Sequence, residues 1–98
     1  MRDPTAKTIT RAIAAARYRE ARRHLDALAL DEFAAGTVVE TEEFLWRNEM
    51  VHQTARGVSW WQRWRIDRQV LDELGFWEQV AVIEAETGRR YSSWPWQP

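Results

Sequence analysis

The sequence has no cysteine, and only four glycines and three prolines, in 98 residues. Without cysteine the chain has no disulfide framework, no thiolate zinc site and no cysteine nucleophile, which fits a reducing compartment. No run approaches the roughly 18 apolar residues of a membrane span. The only apolar run near the N-terminus is Ala12 to Ala16, so a signal-peptide core is missing too, and a cytoplasmic protein with no membrane partner is expected. A Gly-rich phosphate loop, a nucleophile elbow and a supported Ser, His, Asp set are also absent. No catalytic residue and no cofactor is therefore assigned, and a non-enzymatic role is expected.

The four glycines fall where helices should stop. Asp3 followed by Pro4 is a good helix start, with a capping carboxylate and then a proline whose missing amide costs nothing at the first helical position. The first helix carries one apolar stripe at Ile9, Ile13 and Ala16 and a second at Ala14, Tyr18, Ala21, Leu25 and Leu28. Two stripes predict two neighbours, as in a bundle. Leu30 and Phe33 point elsewhere again, which predicts a break or bend near Leu30 and a short connector helix ending at Gly36. A second long helix starts at the Thr37 to Glu40 capping box or at Thr41, carries Phe44, Asn48, Val51 and Ala55 on one face, and stops at Gly57. Its Trp46 and Met50 lie roughly opposite that face.

Val58 to Leu74 is the stretch around which the rest is organised. Ser59 is a suitable N-cap and Gly75 a suitable residue to end the helix. Helical periodicity puts Trp60, Trp64, Ile66, Val70, Leu71 and Leu74 on one arc, predicted to face the core. Arg63 and Asp67, four apart on the same arc, are placed to pair. Trp61 falls off the arc beside Arg65 and Arg68. After Gly75, Phe76, Val80, Ile83 and Thr87 form the stripe of a last helix, flanked by Trp77 and ended by Gly88. Beyond it, Pro95 and Pro98 forbid a helix in the uncharged tail. The expected fold is all-α, a small helical bundle of four to five helices over residues 1–90 with an extended aromatic tail over 91–98.

Seven tryptophans are more than a domain of this size needs for its core. Trp60, Trp64 and Trp77 are predicted to be buried. Trp61, Arg65, Arg68, Trp46, Met50, Trp94 and Trp96 are the candidates for binding a partner, because Trp, Met and Arg are enriched at interface centres. The predicted function is a small interaction protein that buries this surface on a protein, either a second copy as a homodimer or a larger complex. An inhibitor or accessory factor of bacterial or phage origin fits the size, and arginine-for-lysine usage with abundant alanine fits GC-rich codons.

The net charge of −1 hides an asymmetry: residues 1–25 hold seven basic and two acidic side chains, and residues 26–49 hold one basic and seven acidic. The simplest expectation is that the basic first helix lies beside the acidic stretch. The alternative is nucleic-acid binding through Arg11, Arg17, Arg19, Arg22 and Arg23 with aromatic stacking. Against it, the arginines of 58–74 are answered along the chain by Asp67, Asp72 and Glu73, which leaves a nearly neutral field. A third reading is a metal-binding bundle, resting on Glu49 and His52, one half of a paired Glu-x-x-His arrangement. A single copy gives no metal ligand set, so no metal is assigned.

Overall fold

A computed structural model describes residues 4–36 and 41–91, without the side chains of Pro4 and of residues 41–44. The Thr37 to Glu40 box, the Asp3 cap, and Trp94 and Trp96 of the tail lie outside the described residues. Four helices make up the described chain: α1 (Pro4–Ala35), α2 (Thr41–Gln53), α3 (Trp60–Leu74) and α4 (Phe76–Thr87). The fold class is all-α, as the periodicity predicted.

The first helix is the spine. Its 32 residues give a rod of about 48 Å. The break predicted near Leu30 does not occur, and there is no connector helix. Residues 29–35 contain neither Gly nor Pro to interrupt the ladder. The shift of stripe at Leu30 and Phe33 marks instead a change of neighbour, since both side chains pack with Phe76, Val80 and Ile83 of α4. The stripe drifts here as the elements it covers change from α2 and α3 to α4.

The second helix runs antiparallel to α1: Arg47 pairs with Glu32, Gly57 beyond the end of α2 lies by Ala14, and Arg22 Nη2 donates to Asn48 Oδ1 at 3.2 Å across the pair. The third helix then runs parallel to α1 in a constant register: Arg19 meets Gln69 and Arg23 meets Glu73, each fifty residues on. Tyr18, Leu25, Val51, Ala55, Ile66 and Val70 form the core where α1, α2 and α3 meet. Leu74 touches both this core and the smaller α1–α4 cluster around Leu30, Phe76 and Val80. Complete burial of one such aliphatic side chain is worth about 1.5–3 kcal/mol. Among the described residues α2, α3 and α4 all lean on α1, and α2 does not pack its backbone against α3.

Two turns fix this path. Gly57 has φ +82 and lies against α1, where an added Cβ would stand 3.3 Å from Ala14 Cβ. Gly75 has φ +57 and is the single residue between α3 and α4; its amide donates to Asp72 O while its own carbonyl accepts from Gln79 N. Glycine tolerates that left-handed backbone without the clash a Cβ would bring.

The core also contains charge. Arg22 and Asp26 are both buried. Tyr18 Oη donates to Asp67 Oδ1 at 2.5 Å, and the Arg22 guanidinium lies 3.5 Å from the same oxygen and 3.6 Å from Asp26 Oδ1. Burial pushes the Asp26 carboxyl up to about 6, with Arg22 opposing and Asp67 reinforcing the rise. The Tyr18 phenol is raised too, first by burial and then by its bond to Asp67.

Candidate interaction surface

The surface that stands out is the outer side of α3, and local chemistry sets it up. The Ser59 side chain accepts from Gln62 N at 3.2 Å, as its capping role predicts. From this start the helix turns Ile66 and Val70 inward. Asp67 also turns inward, to Tyr18 and Arg22, rather than back to Arg63 as the four-residue spacing predicts. With α1 filling only one side, the arc actually covered is narrower than the apolar arc in the sequence.

Trp60 and Trp64 are therefore not core residues. Trp60 is 69 % exposed, Trp61 54 % and Trp64 47 %. The three indoles form one ladder. Trp61 and Trp64 are stacked with centroids 5.5 Å apart and planes at 21°, and Trp60 meets Trp61 edge-on at 5.9 Å. The Arg68 guanidinium sits 5.1 Å from the Trp64 centroid and extends the ladder by a turn, a cation–π contact of about 0.5–1 kcal/mol at an exposed site. Arg65 is exposed beside it. Trp77 is likewise more exposed than predicted, at 53 %, although its ring meets Phe76 and Tyr91 edge-on.

The field around this ladder differs from the one counted along the chain. Asp67 is spent on Tyr18 and Arg22, and Glu73 Oε2 accepts from Arg23 at 2.6 Å, so neither answers the arginines beside the indoles. Residues 4–19 and 50–66 contain no Asp or Glu, and the fold brings these two segments to one end of the molecule. That end carries Lys7, Arg11, Arg17, Arg19, Arg56, Arg63 and Arg65. The first helix does lie against α2, and Arg22 pairs with Asp26, but the side chains of Glu40, Glu42 and Glu43 in the acidic stretch lie outside the described residues. Arg23 and Arg19 bond to α3, and Arg22 is buried in the core. Of the five arginines proposed for nucleic acid, Arg11 and Arg17 remain exposed, lining an open groove of about 540 Å³ with Ile13, Ala14, Thr54 and Arg56.

On α2, Trp46 is 64 % exposed, and Leu45 and Met50 are exposed with it. Glu49 and His52 are both exposed, and no group of three His, Cys, Asp or Glu that could hold a metal ion occurs among the described residues. Burial lowers the His52 imidazole, helped by the charges of Arg22 and Arg63. No helix among the described residues is long and apolar enough to cross a membrane. Periodicity alone could not have found Trp60 and Trp64 as surface residues; the missing information was how much of α3 its neighbours cover. Comparison with protein families, curated proteins and solved structures finds no match to the chain.

Proposed function

We propose that the protein is a non-enzymatic interaction module that buries the outer face of α3, with Trp60, Trp61, Trp64, Arg65 and Arg68, on another protein. The observation that carries this reading is the uncovered ladder of three indoles. At the exposures above, and about 150–250 Å² per aromatic side chain, roughly 250–400 Å² of indole faces water. A patch near the 300–600 Å² range is as large as the largest patch on a typical monomer, and those patches are often functional. Rings already stacked on each other need little further ordering, so less of the gain from burial is lost on binding.

Single-stranded nucleic acid is a second reading, favoured by the acid-free basic end. Bases stack on free ring faces, however, and Trp64 already has Trp61 on one side and Arg68 near its ring, which supports a protein surface over a row of bases.

The test compares wild type with a Trp61→Ala, Trp64→Ala double variant. The variant should fold as wild type does and lose a protein that wild type captures from extracts of the producing cells, with direct binding of the purified partner as the check. Unchanged capture by the folded variant would refute the role of the ladder. Salt-sensitive binding of wild type to a single-stranded oligonucleotide, lost in the variant, would support the second reading instead.

A further inference from the structure

The two long helices that share the N-terminal hairpin differ greatly in length. The 32 residues of α1 rise about 48 Å and the 13 of α2 about 20 Å. The turn after α2 comes down on Ala14, so α1 extends past the end of α2 as an overhang from Pro4 to Ile13, about 15 Å long, with residues 5–13 all exposed. The groove lined by Ile13, Arg11, Arg17 and Arg56 is the inner corner of this step. The overhang has an apolar pair, Ile9 and Ile13, among Lys7, Arg11 and Arg17, with no acid. The raised part of the step has the opposite character: on the outer arc of α2, Leu45, Trp46 and Met50 are exposed and enclose the exposed Glu49.

We infer that these surfaces fit each other in two copies of this chain: a second molecule, turned end for end, seats its α2 on the overhang of the first. Shape supports this, because the overhang of about 15 Å is long enough to take most of the roughly 20 Å of α2. Charge supports it equally, because Glu49 of one copy meets the acid-free cluster of Arg11, Arg17 and Arg56 of the other. Apolar groups match as well, with Leu45, Trp46 and Met50 facing Ile9 and Ile13. A two-fold axis makes the contact twice and closes the pair, which excludes open chains. The α3 ladder takes no part, so this pairing stands or falls separately from the function proposed above.

The decisive experiment is a charge swap read by light scattering on a sizing column. Wild type at about 100 µM should run as a dimer, less so at about 0.5 M salt than at 0.05 M because the pairing is partly electrostatic. Arg11→Glu with Arg17→Glu should be monomeric, and so should Glu49→Arg with Met50→Arg. Mixed in equal amounts, the two variants should recover a dimer, since one contact is then wild type and the other has its charges exchanged. That recovery also shows that both variants are folded. The Trp61→Ala, Trp64→Ala variant should stay dimeric. A monomeric wild type, a dimer indifferent to both pairs of substitutions, a species that grows without limit, or no recovery on mixing would each overturn the proposal.

Discussion

The carboxylate of Asp26 allows a quantitative test of the buried charge network. Its side chain is 1 % exposed, neither oxygen has a hydrogen-bond partner, and Arg22 Nη1 stands 3.6 Å away. Burial raises its pKa from 3.8 to about 6, and a rise of that size corresponds to about 3 kcal/mol between the two protonation states. The folded chain therefore holds this proton more tightly than the unfolded chain does. Stability from Asp26 is gained as pH falls through 6, is complete below about 4, and is absent at neutral pH. Between pH 7 and pH 5 the gain amounts to about 1.3 kcal/mol. Asn in place of Asp26 cannot titrate and should lack this increment. The assay is urea unfolding of wild type and Asp26→Asn at several pH values from 7.5 to 5. At any one pH the difference between them also contains the cost of burying an amide, so the diagnostic is its change: wild type should gain on the variant by about 1.3 kcal/mol over that range. A constant difference would mean that Asp26 titrates as an ordinary carboxylate and that the network is open to water.

Other substitutions probe the fold and the ladder. Tyr18→Phe removes the only short bond from the α1 phenol to Asp67 and should cost about 1–3 kcal/mol in urea or thermal unfolding, since Asp67 is charged. Val70→Ala, at a position with no exposure, should cost about 2 kcal/mol or more, whereas Trp61→Ala should cost less than about 1 kcal/mol although it removes far more atoms. The reverse order would place the indole in the core. Gly57→Ala combines a left-handed backbone with a close approach to Ala14 and should lower stability by about 1–2 kcal/mol in the same assay.

Much of the fold was legible because it is written locally. Pro4, Ser59, Gly57, Gly75 and Gly88 mark boundaries by their own backbone chemistry, and Ile66, Val70, Phe76 and Val80 are buried as their spacing predicts. What was not legible depends on neighbours far along the chain. The arc of α3 includes Trp60 and Trp64, but only the position of α1 decides how much of that arc is covered. Acids and bases that balance within 58–74 separate once Asp67 and Glu73 pair with residues some fifty positions earlier. For the same reason the field around Trp61 keeps only Asp72 of the three acids counted on α3, the other two being drawn to α1. Trp61, Arg65 and Arg68 were recognisable as surface because they lie far from any apolar stripe.

The dependence of every other helix on α1 bears on how the chain folds. Helices α1 and α2 meet at separations as short as fifteen residues, Glu32 with Arg47, whereas the α1–α3 register joins residues fifty apart, so its entropic cost is larger and it should form later. With no backbone packing between α2 and α3 among the described residues, no pair of helices that omits α1 retains the main core. Unfolding α1 should thus release the whole molecule at once. Amide protons of residues 18–30 should exchange only through global unfolding, while those of the overhang exchange through local fraying.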